Sequence, residues 1–380
     1  MNSLAGYGEI FYMNTLASGY VPQISIIAGP CAGGAVYSPG ITDFIFMIDN
    51  VSSMFVTGPK VIAQVTGEKC MLDELGGPLM HSQVSGVAHG VYRTETECFK
   101  SIRKLIGFLP NCFRSVRCNV STIFSEKHFT NITQIVPCES RKVYDVKKVI
   151  EEIADRKSFF ELQEQFAKNI VIGFAKICGI VIGIVANQPK EIGGILDCDA
   201  SDKAARFVRY CDSYNIPIIT FVDTPGYMPS VQQEKMGIIR HGAKILYAYS
   251  EATTIKISVI LRKAYGGAYI AMCSKLLHAD YVYSWPGAEI AVMGAPGAVE
   301  ILYHNQIREL EGEAKRNFIN EKEAEYRDKY INSEIALREG YIDSEIRPDT
   351  TRRILYESIL SLAEKESSPI IEKKHGNIPL

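Results

Sequence analysis

The sequence predicts an α/β fold. Three observations carry that reading. Short apolar, strand-like segments alternate with stretches of helical periodicity, most plainly from Ile170 onward. Breakers such as Thr224-Pro225-Gly226 punctuate the alternation. One βα unit also occurs twice. Ile24-Ser25-Ile26-Ile27 is followed, nine residues after its first Ile, by Gly33-Gly34-Ala35; Ile257-Ser258-Val259-Ile260 is followed at the same spacing by Gly266-Gly267-Ala268. Upstream the register holds, with amphipathic helices expected at 4–18 and 237–249. Downstream it holds loosely, where Thr57-Gly58-Pro59 resembles Met293-Gly294-Ala295 a few residues out of step.

Taken in order, 22–28 reads as a strand ending in a Gly/Pro/Cys turn, and a helix starts at Gly33 or Gly34. Strands are expected at 44–48 and 53–56, and helices at 60–65, 72–75 and 95–108, the last stopped by Pro110. Weak periodicity at 111–141 reads as an interdomain segment. Helical structure resumes at 143–154 and 158–165. Strands follow at 170–175 and 179–187. Ser201 opens a helix to about Tyr214, with Lys203, Arg206 and Arg209 expected on its outer face. The strand 216–223 tolerates Pro217 at its start, where a missing N–H costs little. Trp285-Pro286 ends a strand and plugs the core. Residues 301–330 form a charged helical stretch, and 352–365 a last amphipathic helix before an extended tail.

At 380 residues, two domains are the prior, and a 47% hydrophobic content is ample for two cores. A net charge of −2 speaks against capture of nucleic acid. No apolar run has the length of a membrane span, and the first residues lack the pattern of a signal peptide. The ten cysteines form no CxxC and no zinc-spaced cluster, so no metal site is expected, and a reduced, cytoplasmic protein is. Asn119-Val-Ser121 fits a glycosylation pattern that carries no weight without secretion. His81, His89, His241 and His278 read as packed or solvated. Asn187-Gln188-Pro189 and Asp223 read as turn chemistry, with a ligand crevice or a catalytic acid as alternatives. The charges from 308 to 329 read as a solvated helix face.

A strand that turns through glycines into a helix leaves backbone N–H groups free at the positive end of the helix dipole. Glycine also lets a ligand approach the backbone closely. Such amides can hold a carbonyl oxygen that becomes negative during reaction. One isolated Gly-Gly would read as a packing turn. Two in the same register, with Tyr37 and Tyr265 close by, point to facing oxyanion holes that each stabilise an enolate-like partner.

The segments 29–39 and Arg262-Lys-Ala-Tyr-Gly-Gly-Ala-Tyr269 resemble the carboxyltransferase (β) subunits of biotin-dependent acyl-CoA carboxylases. So do Ser85-Gly-Val-Ala-His89, 184–189, Phe221-Val-Asp-Thr-Pro-Gly226, 237–244 and 288–294. The resemblance covers essentially the whole chain. It is strongest to the group of propionyl-CoA carboxylase β and methylmalonyl-CoA decarboxylase α subunits. It implies two crotonase-like domains, the N-terminal one incomplete: 1–120 as the end of an acyl-CoA-side domain, 121–380 as a biotin-side domain. In the family the acyl thioester oxygen sits on the first pair of amides and the biotin ureido oxygen on the second. Carried over, Gly33 and Gly34 are catalytic on the acyl side, with Ala32, Ala35 and Tyr37 binding substrate. Gly267 and Ala268 are catalytic on the biotin side, flanked by Gly266, Tyr269 and Ile270.

The resemblance further implies biotin on a separate carrier protein, a coenzyme A thioester as substrate, and a homo-hexamer whose sites lie between subunits. Partners would be a biotin carboxyl carrier protein with a biotin carboxylase subunit, or the membrane subunits of a decarboxylating sodium pump. Released CO2 leaves a biotin enolate that takes the acyl α-proton, so the reactants bring their own base. Two departures stand out. Family members run on upstream of Ser3, so a shortened or non-catalytic partner chain is an alternative. Ile270 stands where propionyl-type members commonly carry Asp, a position that borders the acyl pocket in the family, which leaves acetyl, propionyl and decarboxylase readings open.

Overall fold

In the computed structural model, residues 2–114, 132–140, 142–331, 333–365, 371 and 373–379 are described. Most of the expected interdomain segment, Asn119 and the expected boundary at 120/121 lie outside them. Two sheets and a small ribbon organise the chain. The first sheet joins β1 (Ile24–Ile27), β3 (Phe44–Ile48) and β5 (Gly90–Tyr92) in the order β1-β3-β5, all parallel. A parallel ribbon pairs β2 (Pro30–Ala32) with β4 (Ser53–Phe55). The large sheet contains β6 (Phe160–Leu162), β7 (Ile170–Ile177), β8 (Ile180–Asn187), β9 (Ile218–Thr224), β10 (Lys256–Tyr265), β11 (Tyr281–Ser284) and β13 (Ser344–Glu345), with β12 (Glu289–Ala291) paired to the end of β10. Its order is β13-β11-β10-β9-β8-β7-β6. β6–β7–β8 is an antiparallel meander; the rest is parallel. The buried parallel strands are near-continuous apolar runs, as strands covered on both faces must be.

The repeat is real in three dimensions. β1 and β10 each pair in parallel with the next long strand, Ile24 opposite Phe44 and Ile257 opposite Tyr281. Downstream, Ala32 pairs with Phe55 and Tyr265 with Ala291. Gly58 and Gly294 each lie three residues beyond that partner and cap a helix, Pro59–Thr66 and Ala295–Leu302. The sequence falls out of step only because the intervening loops differ in length.

Both upstream helices form, but they differ in what they bury. The second, α3 (Ile238–Glu251), buries Ile238, Gly242, Ile245, Ala248 and Tyr249 while packed on α2 (Cys198–Ser213). The first, α1 (Asn2–Ala17), leaves Ile10, Tyr12, Met13 and Leu16 exposed. The expected amphipathic face is absent from α1: Ile10, Phe11, Tyr12 and Met13 are consecutive and so run around the helix rather than along one side.

Two further expectations are corrected. Residues 158–165 are not helical: Phe160 and Leu162 point into the core around a half-buried Glu161, the period-two signature of β6. Lys203 does not lie on an outer face. It shares the stripe of Ala200, Ala204, Phe207 and Val208, and its side chain is buried. Its Nζ donates to the carbonyls of Gln163 (3.0 Å), Phe166 (2.7 Å) and Ile170 (2.8 Å), and more weakly to Ala167 (3.3 Å). These carbonyls belong to the irregular turn between β6 and β7, where Gln163 and Ala167 have φ of 50° and 42°. The lysine adds donors to a turn whose own backbone supplies only some, Phe166 N to Gln163 O and Ile170 N to Ala167 O. Arg206 anchors the first sheet, donating to Thr42 O at 2.7 Å.

One core runs through both sheets. The Phe44 ring lies 4.7 Å from that of Tyr210 and 6.2 Å from that of Phe174, and Phe108 stacks on Phe174 at 6.1 Å. His89 joins the seam. Its backbone N–H donates to Ile45 O and its carbonyl accepts from Gln163 N. Its Nδ1 accepts from Ile45 N at 3.1 Å, which fixes the neutral ring with its proton on Nε2. Trp285 is buried as expected, its Nε1 donating to Thr351 Oγ1 at 2.9 Å. Among the described residues, no helix is long and apolar enough to cross a membrane.

Lys203→Met removes the buried ammonium and takes one donor from each of four carbonyls; the expected loss is about 3 kcal/mol of unfolding free energy, read by urea titration. His89 gives a pH signature. Burial, with Arg206 and Lys203 nearby, pushes its pKa down to about 3. The unfolded ring titrates at about 6.5, so between these values only the unfolded chain binds the proton and stability falls as pH drops. His89→Asn, which keeps an acceptor for Ile45 N–H, is expected to flatten that slope by up to about 1.4 kcal/mol per pH unit. Melting curves from pH 7 to pH 4 check it.

Candidate functional site

Each Gly-Gly turn is built the same way. Gly33 has φ of +64° and Gly266 of +59°, the left-handed region that side chains other than glycine's avoid. Each follows an extended residue, Ala32 or Tyr265, and opens a helical turn, Gly33–Val36 or Gly266–Ala271. No side chain caps either start. By contrast Thr94, Asp145, Asp197 and Ser230 each accept a backbone N–H at the start of their helices. The first-turn amides at the glycines are thus not claimed by the usual partner.

The surroundings of the two turns differ. The first is open: a Cβ on Gly33 would meet nothing within 4 Å, and one on Gly34 only the Tyr7 ring at 3.6 Å. Ala32 is exposed, Ala35 half-buried, and Tyr37 is 51% exposed. Phe11 of α1 stands edge-on to Tyr37, with ring centres 6.2 Å apart, and stacks on Tyr7. The second turn sits against β9 and α3. Gly267 is exposed, and a Cβ there would meet only the Tyr227 ring at 3.9 Å. Ala268 is fully buried and Ile270 packs on the main core. Tyr269 is buried, its pKa raised to about 12 by desolvation, and its hydroxyl finds no hydrogen-bond partner among the described residues. Tyr265 bonds through its hydroxyl to the Glu289 carboxylate on β12. The two turns end different sheets.

Asp223 is not a turn residue. It is the last but one residue of β9, fully buried, and its Oδ2 accepts from Arg262 Nε (3.0 Å) and Tyr144 OH (2.9 Å). Burial pushes its carboxyl upward against the pull of Arg262 and Lys263. Asn187 and Gln188 are structural pins. Asn187 Oδ1 accepts from Asp223 N at 3.2 Å, and Gln188 bonds to Val146 N and to Asp145. His81 is packed as expected, between Met54 O and Ser85 Oγ. His241 pairs with Asp202 at 2.9 Å. The sequence reading missed Tyr7 and Tyr227, which flank the two turns, and Tyr144. Tyr227, directly after Thr-Pro-Gly at a strand end, was the most findable of them.

The two leading glycines make a controlled comparison. Gly33→Ala meets open space, so only its left-handed backbone costs, about 1 kcal/mol. Gly266→Ala adds a methyl 3.1 Å from Val292 O, and its loss is expected to exceed that of Gly33→Ala. Urea unfolding of both variants measures the difference.

Comparison with known proteins bears on this arrangement. The carboxyl transferase domain family matches residues 1–378. The propionyl-CoA carboxylase carboxyltransferase subunit of Haloferax mediterranei is 51% identical over 383 aligned positions, covering 100% of this chain and 73% of that protein. The methylmalonyl-CoA decarboxylase α subunit of Veillonella parvula is 48% identical, with the same coverage. A transcarboxylase 12S structure, solved as a hexamer with hydrolysed methylmalonyl-coenzyme A bound, superposes with a TM-score of 0.93 at 47% identity, covering 100% of this chain and 72% of its own. The expected crotonase-like architecture is that of these neighbours. From the strand–Gly-Gly–helix repeat to the whole-chain match, the chain belongs to the carboxyl transferase family.

Proposed function

We propose that this protein is the carboxyltransferase component of a biotin-dependent enzyme. It moves a carboxyl group between biotin on a carrier protein and the α-carbon of a short acyl-CoA, through two oxyanion holes. The observation that carries the site assignment is the matched pair of uncapped, left-handed glycine turns at Gly33 and Gly266. The propionyl-CoA carboxylase and methylmalonyl-CoA decarboxylase relatives support the reaction and the acyl class.

Gly33 and Gly34 would receive the thioester oxygen. Ala32 and Ala35 keep the approach open, and Tyr37 offers an exposed ring beside it. Gly267 and Ala268 would receive the biotin ureido oxygen, with Gly266 setting the turn and Tyr269 and Ile270 forming its inner wall. Carboxybiotin supplies the CO2 and, once decarboxylated, the base. The amides, fixed by the turn, would hold each developing oxyanion without reorganising. Because the two turns end different sheets, an acyl turn of one subunit facing a biotin turn of another is the arrangement the hexameric neighbour supports. The partners on this reading are a biotin carboxyl carrier protein and either a biotin carboxylase or membrane decarboxylase subunits.

The test is biotin-dependent CO2 release from methylmalonyl-CoA and from malonyl-CoA. Release from methylmalonyl-CoA supports the propionyl class; no release from either thioester overturns the reading. Gly267→Ala adds a methyl with only Tyr227 at 3.9 Å, so the fold tolerates it. The N–H is kept but the methyl stands over the exposed turn where the ureido group would approach, so the rate is expected to fall by about 10- to 100-fold with an unchanged melting temperature. Full activity in that variant would remove Gly267 from the site.

A further inference from the structure

β10 bends just before the second turn. Ile260 pairs with Val222 and Ala264 with Thr224, so three residues of β10 stand opposite the single Asp223 of β9. On its other side β10 changes partner across the same bend, from β11 at Ile260 to β12 at Lys263. A bulge of this kind leaves ladder groups unpaired and re-aims the chain that follows. Here the chain that follows is Gly266-Gly267.

Buried charge fills the bend. Asp223 takes Arg262 Nε and the Tyr144 hydroxyl on one oxygen, and Lys263 Nζ lies 3.9 Å from the other. The Arg262 guanidinium also covers the Tyr144 ring at 5.0 Å. Its Nη1 donates to the carbonyls of Lys142 (2.7 Å) and Glu139 (2.9 Å), with Pro137 at 3.4 Å, and Lys263 Nζ donates to Ser140 O at 3.1 Å. One cluster therefore ties β9, the bend of β10 and the segment 137–142 together. Among the described residues, the first unit shows no such cluster. Arg262 lies four residues before Gly266, and the residue four before Gly33 is Gly29.

We propose that Asp223, Arg262 and Tyr144 are positioning residues for the second Gly-Gly turn, and through it for the ureido group of biotin. The proposal rests on the biotin-side reading of that turn. Loss of the brace displaces the Gly267 and Ala268 amides while leaving the Gly33 turn untouched. The effect should therefore split by substrate.

The experiment uses Asp223→Asn and Tyr144→Phe in the full chain. Tyr144→Phe removes a single hydroxyl, so it reports even where Asp223→Asn folds poorly. With free biotin and methylmalonyl-CoA, kcat/KM for biotin should fall by about 10- to 100-fold in Asp223→Asn and less in Tyr144→Phe. KM for the acyl-CoA should not change. Without any ligand, hydrogen exchange should quicken in peptides spanning 137–142 and 262–268, and not in 24–36. Equal losses for both substrates, or unchanged exchange at 262–268, would overturn the proposal. If the unaltered protein shows no biotin-dependent release, the biotin-side reading fails and the proposal falls with it. An active parent with unaffected variants refutes the brace alone.

Discussion

A left-handed backbone at one position in each unit is the constraint on which the rest depends. With a Cβ at Gly33 or Gly266 the strand would not turn so sharply into its helix, because the side chain would crowd the following carbonyl. The turn exposes amides, and the exposed amides forbid a capping side chain if a ligand is to reach them. The helices that follow are consequently short, and their stability comes from packing on the strand they leave. Parallel pairing then fixes the next segment, and a glycine three residues beyond the paired position starts another helix in both units. A single steric requirement thus propagates through strand, turn, partner strand and helix.

The two units meet that requirement with different chemistry. In the first, the chain breaks at Ala28-Gly29 and the path is shared between two short strands, β1 in the first sheet and β2 in the ribbon. In the second the strand runs on and a buried ion pair holds the bend. Burying Asp223 and Arg262 is costly in desolvation, and that cost is offset by the Tyr144 hydroxyl on Asp223 Oδ2, by backbone carbonyls on Arg262, and by the Lys263 charge 3.9 Å from the Oδ1 that makes no hydrogen bond.

Much of this was legible in the sequence because it rests on local pattern. The strands at 44–48 and 170–187, the helix from Glu95, and both glycine turns follow from apolar runs, breakers and register. The misreadings share a physical cause. Phe160-Glu161-Leu162 is too short to show whether its period is two or nearly four, and only pairing with β7 decides it. Lys203 looked like a surface charge because charge predicts exposure, yet it lies four residues from Phe207 on the buried stripe. Its partners are carbonyls of a distant turn that no periodicity announces. Asp223 looked like turn chemistry for the same reason: Arg262 and Tyr144 come from other parts of the chain. Local pattern writes the scaffold, whereas buried polar partnerships are long-range.

The aromatic seam between the two sheets has a consequence for biosynthesis. Phe44 is covered by rings that lie well over a hundred residues later, at Phe174 and Tyr210. Domains ordinarily consolidate as they emerge from the ribosome. Here the apolar run Phe44–Ile48 emerges long before its cover has been translated. The early segment must wait, sticky and half-assembled, for the later sheet to form a template. The ribosome thus releases one side of the seam, Phe44, about 130 residues before Phe174 on the other.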